Sequence, residues 1–238
     1  MYRAFFAAVV AAAFAAPAAN AQQILSQKRT VYAYSQTQEL VGDLCLHEGS
    51  DSDSTTAAGL WDRRVTAFTN FPEYNHGTNY GTSGARQTTT IDTTALSFSG
   101  DAATSAETQF DDGADSIAGC SATLEITFKL DQAGGISLNG VLATDGWTWD
   151  PDDAELIDSI YTTLEVINTT TGEVVFSRIA TFADSVAILD HDVALSAGTY
   201  KVVITTFAEA NTSPNEFGVY LYNPNTYFNV TGQIYHNE

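Results

Sequence analysis

Leu124, Ile126, Phe128 and Leu130 alternate with Glu125, Thr127 and Lys129. That period of two predicts a strand with one face buried and one face wet. Phe228, Val230 and Ile234 alternate in the same way with Asn229, Thr231, Gln233 and Tyr235. Tyr200 to Phe207 is rich in β-branched residues on both faces, which places it nearer the middle of a sheet. Turn signals punctuate the chain at Gly134-Gly135, Asn139-Gly140, Asp145-Gly146, Thr171-Gly172, Ala197-Gly198 and Asn223-Pro224-Asn225. Short strands with short connections make an antiparallel sheet rather than βαβ units. One segment predicts helix, Asp152 to Tyr161, with Asp152 or Asp153 as cap and Leu156, Ile157 and Ile160 on one face.

Two stretches lack periodicity and predict exposed loops. Glu48 to Gly59 is small, polar and acidic, and Asn70 to Gly84 mixes Asn, Gly, Pro, Tyr and His. No repeat of solenoid or propeller period occurs, and no Pro/Ser-rich linker divides the chain. The expectation is a single all-β domain over residues 22–238, an antiparallel β-sandwich of jelly-roll-like character.

The first 21 residues stand apart from this pattern. Tyr2-Arg3 is a short positive start, Ala4 to Ala16 an apolar run, and Ala19-Asn20-Ala21 a small-x-small cleavage site, the form of a signal peptide. An apolar run of that length is too short to span a bilayer, for which about 20 residues are needed. The expected location is secreted, extracellular or periplasmic, in a bacterium.

Charge narrows the partners. The chain carries 9 Lys+Arg against 29 Asp+Glu, a formal net charge of −20, which repels phosphate backbones and anionic membrane surfaces. Nucleic acid is therefore excluded as a partner. Cys45 and Cys120 are the only cysteines, an even number in an exported chain, and a disulfide between them is expected. Closing that loop would remove roughly 4 kcal/mol of unfolded-chain entropy.

The residue types that carry catalysis are scattered. His47, His76, His191 and His236 show no metal-ligand spacing, and no G-x-S-x-G elbow is present. A carboxylate pair of the glycosidase kind needs only two facing acids, which spacing does not reveal, so a carbohydrate-active hydrolase stands as the alternative function. Calcium is the expected metal, since it takes carboxylate and carbonyl oxygens from turns. The densest candidate is Asp111, Asp112 and Asp115 around Gly113. Trp147 and Trp149 flank Thr148, so an extended backbone would point both indoles to one face, as in sandwich modules that stack sugar rings. Asp150, Tyr220 and Tyr222 complete the candidate glycan site.

The order of segments resembles a known group. Arg29-Thr30-Val31-Tyr32-Ala33-Tyr34, the Asp51-Ser52-Asp53-Ser54 patch with Ala57-Ala58-Gly59-Leu60-Trp61-Asp62, the Leu124 to Leu130 strand and Leu195-Ser196-Ala197-Gly198-Thr199-Tyr200 together look like the exported bacterial β-sandwich proteins associated with PEP-CTERM sorting tails. The last element is also similar to the closing strands of bacterial pre-peptidase and carbohydrate-binding sandwiches. The sorting tail is absent, since the sequence stops at Tyr235-His236-Asn237-Glu238, and anchoring by that route is not expected. The resemblance implies a sandwich architecture and supplies no catalytic residue. The functional expectation is an exported, non-catalytic structural or adhesive module that recognises a polysaccharide or extracellular matrix.

Overall fold

The structure is a computed structural model that describes residues 22–39, 46–72, 78–110, 114–148, 160–212 and 220–236. It contains β1 (Gln23–Glu39), β2 (Leu46–Thr55), β3 (Gly59–Pro72), β4 (Thr78–Asp92), β5 (Ser97–Phe110) and β6 (Ala114–Leu130). These are followed by β7 (Gly134–Thr148), β8 (Ile160–Asn168), β9 (Val174–Thr181), β10 (Val186–Leu195), β11 (Gly198–Thr212) and β12 (Tyr220–His236). Two six-stranded sheets result, sheet 1 in the order β2-β1-β6-β11-β8-β9 and sheet 2 in the order β10-β7-β12-β5-β4-β3. Every pairing is antiparallel.

The last eight strands are one folded ribbon. β5 pairs β12, β6 pairs β11, β7 pairs β10 and β8 pairs β9, with successive pairs alternating between the sheets. That is the connectivity of a jelly roll, as expected from the sequence. Two hairpins enlarge it: β1–β2 extends sheet 1 beside β6, and β3–β4 extends sheet 2 beside β5. The sheets stack so that β2 covers β3, β1 covers β4 and β9 meets β10.

The core is graded along the strands. At the end holding the β6–β7 connection it is packed with Leu124, Ile126, Phe128, Ile136, Leu138 and Phe98. Toward the opposite end the described inward positions are mostly Ala, Ser and Thr. There Ser35 Oγ lies 2.5 Å from Thr69 Oγ1 and donates to the Gly81 carbonyl at 2.8 Å, and Thr104 and Thr226 hydroxyls meet at 2.5 Å. Hydroxyl side chains here bond each other and nearby carbonyls across the gap between the sheets.

Four expectations are corrected. Glu48 to Thr55 is strand, not loop: β2 pairs β1 from Gln38↔Leu46 to Arg29↔Thr55, and as an edge strand it needs no apolar face. The second expected loop is also strand over Asn70–Pro72 and Thr78–Gly84, where β3 meets β4 in continuous register from Asn70↔Tyr80 to Pro72↔Thr78. Ile160 and Tyr161 open β8 rather than close a helix, and the rest of that segment lies outside the described residues. Finally, Asn139-Gly140, Asp145-Gly146 and Asn223-Pro224-Asn225 sit inside β7 and β12. Gly140 has φ 141°, and a Cβ there would lie 2.0 Å from the Asn229 carbonyl oxygen, so close approach of β12 demands glycine. Pro224 lacks an N–H, and β12 accordingly skips Asn223 and Pro224 in its pairing with β5 while remaining in register with β7.

Candidate functional site

The outward face of sheet 1 carries the most ordered cluster of side chains suited to binding. Along β1, Val31, Ala33 and Ser35 are buried, so Thr30, Tyr32 and Tyr34 face outward. Register then sets their neighbours. Tyr32 and Phe207 both pair with Ser121, and Phe207 pairs in turn with Tyr161. The row therefore runs Tyr32, Ser121, Phe207, Tyr161 across β1, β6, β11 and β8. Tyr161 and Phe207 stack with ring centres 5.4 Å apart, and Tyr32 and Tyr34 stack at 5.8 Å. The two pairs are separated by the width of β6, on which the row positions are Gly119 and Ser121, about 10 Å from β1 to β11.

Gly119 makes the arrangement possible. It pairs with both Tyr34 and Glu209, so the Tyr34 ring crosses over it and its hydroxyl donates to Glu209 two strands away. A Cβ on Gly119 would lie 2.6 Å from the tyrosine ring. Burial, and then the Glu209 carboxylate, hold the Tyr34 phenol above its ordinary pKa. The next row outward is four hydroxyls, Thr30, Thr123, Thr205 and Thr163. Aromatic rings beside a hydroxyl row and a carboxylate suit a ligand with apolar faces and polar edges. Tyr32 is 40% exposed, enough to offer its ring face.

Sheet 2 carries two shallow grooves, the smaller of them mainly polar. One, of about 210 Å³, is lined by Arg64, Thr66, Thr82, Gly84, Glu107 and Asn225. The other, of about 300 Å³, includes Thr90, Asp92, Asn139, Thr231 and Gln233. Tyr80 donates to Glu107 at the edge of the first, and burial with that carboxylate pushes its phenol up to about 12.

The topology gathers the residues singled out in the sequence at one end of the sandwich, the hydroxyl-lined end. Trp147 pairs with Asn223, Tyr222 with Thr148, Tyr220 with Phe110, and Asp115 with Gln38. Trp147 is thus one residue out of phase with both tyrosines. Trp149, Asp150, Asp111, Asp112 and Cys45 lie outside the described residues. Among the described residues no cluster of three His, Cys, Asp or Glu could hold a metal ion.

The expected disulfide is not seen: Cys120 is a free thiol. It points into the core, donates to the Ser105 carbonyl at 3.1 Å, and is pushed by burial up to about 12. Sequence reasoning passed over the aromatic face. Tyr32-Ala33-Tyr34 announces two rings on one side of a strand, but their partners on β8 and β11 depend on the long-range pairings Tyr32↔Ser121, Ser121↔Phe207 and Phe207↔Tyr161.

No helix among the described residues is long and apolar enough to cross a membrane. No protein-family model matches the chain, and no curated protein matches it. Among solved structures, that of infectious bursal disease virus, Gx strain, aligns with 93% of this chain and 68% of that chain at 12% identity, with a TM-score of 0.21. A superposition at that level carries no argument.

Proposed function

We propose that this protein is an exported, non-catalytic jelly-roll module, structural or adhesive in role, that recognises extracellular polysaccharide across the outward face of sheet 1. The observation that carries the reading is the pair of stacked aromatic couples, Tyr32/Tyr34 and Tyr161/Phe207, flanking the small residues of β6. Sugar rings present an axial C–H face to such platforms while their hydroxyls reach side chains such as Thr30, Thr123 and Thr205. Contacts of this kind sum from small terms, so affinity for one site falls in the range of about micromolar to millimolar.

The test is a glycan array followed by titration of the best ligand against the wild type and a Tyr32→Ala/Tyr161→Ala variant whose cooperative unfolding is first verified. Affinity should fall by about tenfold or more. Unchanged binding in this variant, with loss in a Trp147→Ala/Trp149→Ala variant, would move the site to the hydroxyl-lined end. Release of shortened sugar on incubation would overturn the non-catalytic reading in favour of the hydrolase.

A further inference from the structure

Among the described residues both sheets stop together at each side of the sandwich, with β9 and β10 as the terminal strands on one side and β2 and β3 on the other. A terminal strand presents unpaired N–H and C=O groups, and proteins ordinarily guard it with lysine, proline or inward charges. These edges are poorly guarded. Of the eleven large apolar side chains exposed among the described residues, eight lie on the two edges. Val174, Val175, Ile179, Phe182, Val186 and Ile188 line the β9/β10 side, with Ile188 73% exposed, and Leu60 and Phe68 lie on β3. Neither β9 nor β10 contains a lysine or a proline.

Direction and charge select the partner. Each sheet has six strands with every neighbour antiparallel, so its first and last strands run in opposite directions. A second copy placed beside the first therefore brings β2 antiparallel to β9 and β3 antiparallel to β10, extending both sheets at once. β9 carries Arg178 and no acid, whereas β2 carries Glu48, Asp51 and Asp53 and no Lys or Arg. β10 carries Asp190 and Asp192 and no Lys or Arg, whereas β3 carries two arginines to one acid, Asp62, with Arg63 bonded to Asp53 of β2 at 2.8 Å and Arg64 outside that pair. Each junction thus joins an acidic strand to one bearing arginine. Pairing the β9/β10 edge with its own copy so that each sheet continues, β9 on β9 and β10 on β10, would oppose arginine to arginine and aspartate to aspartate, in a molecule already at −20.

We infer that the protein assembles head to tail, the β9/β10 edge of one copy docking on the β2/β3 edge of the next. Such a heterologous contact does not close on itself in a pair and propagates into a ring or filament. Arg178 is prepared for the role: its guanidinium stands 5.0 Å over the Phe176 ring and 3.0 Å from His191 Nε2, which holds it at the edge between the sheets.

The experiment measures mass by light scattering over a wide concentration series. It uses the wild type, a Val175→Lys/Ile188→Lys variant blocked on one edge, and a Leu60→Glu/Phe68→Glu variant blocked on the other, each first shown by circular dichroism to fold. The wild type should form a concentration-dependent series of oligomers. Each variant alone should remain monomeric, and their equal mixture should form heterodimers, since each retains one of the two complementary edges. A wild type that stays monomeric throughout overturns the inference. So does a Leu60→Glu/Phe68→Glu variant that dimerises by itself, which would mean that the β9/β10 edge pairs with its own copy. Should either pair of substitutions unfold the chain, the single changes Ile188→Lys and Leu60→Glu repeat the mixture test.

Discussion

The guanidinium carbon of Arg29 stands 5.6 Å from the ring centre of Trp61, and both residues are buried. In a chain with 29 acids, this cation is held by carbonyls. Arg29 Nη1 donates to Gly59 O at 2.8 Å and Thr89 O at 3.2 Å, and Nη2 donates to Ala57 O. Two of those acceptors belong to the link by which the chain leaves β2 for β3, so the side chain clamps a crossover between sheets. Arg29→Ala is expected to cost about 2–4 kcal/mol in urea unfolding, since hydrogen bonds to a charged group and core volume are lost together. Arg29→Lys should recover only part of the loss, because one ammonium cannot span all three carbonyls.

Gln87 supplies the opposite case. It is fully buried, and neither its amide nitrogen nor its amide oxygen has a partner. Gln87→Leu should therefore stabilise the protein, by about 1 kcal/mol or more, with the gain read as a higher urea midpoint at unchanged slope. A lower midpoint would mean that the amide is bonded in solution.

The two carboxylate-bound phenols set an alkaline limit. Tyr34 and Tyr80 titrate above the ordinary value of 10.0, Tyr80 at about 12. Above pH 10 the unfolded chain loses these protons while the folded chain keeps them. Their contribution is complete below pH 10 and fades as pH rises through the folded-state values, over pH 10 to 12 for Tyr80. The melting temperature should fall over that window, and less steeply in a Tyr34→Phe/Tyr80→Phe variant. Phenolate absorbance should show two tyrosines titrating late.

Gly119→Ala tests the aromatic face directly. The new methyl would collide with the Tyr34 ring and push it off Glu209. A cost of about 1–3 kcal/mol is expected, and the late phenolate titration of Tyr34 should return toward the ordinary range.

Cys120 should be silent toward thiol reagents in the native state, because the thiolate that reacts is suppressed by burial. Ellman's reagent should label it only after unfolding, and reductant should leave the melting temperature unchanged. A lower melting temperature on reduction would restore a bridge to Cys45.

Where one face of a strand is greasy and the other wet, the sequence was readable. Leu124 to Leu130 lies in β6, a strand with one buried face as the alternation implied, and Tyr200 to Phe207 lies in β11, an interior strand of sheet 1 as its β-branched residues implied. β2 and β4 were hidden for different reasons. The Gly-Ser-Asp-Ser-Asp-Ser run of β2 has no apolar face because an edge strand is held by backbone bonds to β1. β4 buries Ser83, Ala85, Gln87 and Thr89 before its one large apolar residue, Ile91, so most of its inward face carries no hydrophobic signature. The aromatic face was hidden because Tyr34 reaches Glu209 across 175 positions of sequence, and no local pattern encodes that meeting.

The place of β12 has a bearing on how the molecule is made. It comes after the other eleven described strands, yet it sits in the interior of sheet 2, bonded to β5 on one side and β7 on the other. Until it arrives, that sheet is two pieces, each with a bare edge, and Phe228, Val230 and Ile234 are missing from the interior. A chain emerging from its N-terminus therefore cannot bank stability as it goes. Sheet 2 waits on β12, a topology in which folding is slow and the incomplete chain is the form most exposed to mispairing.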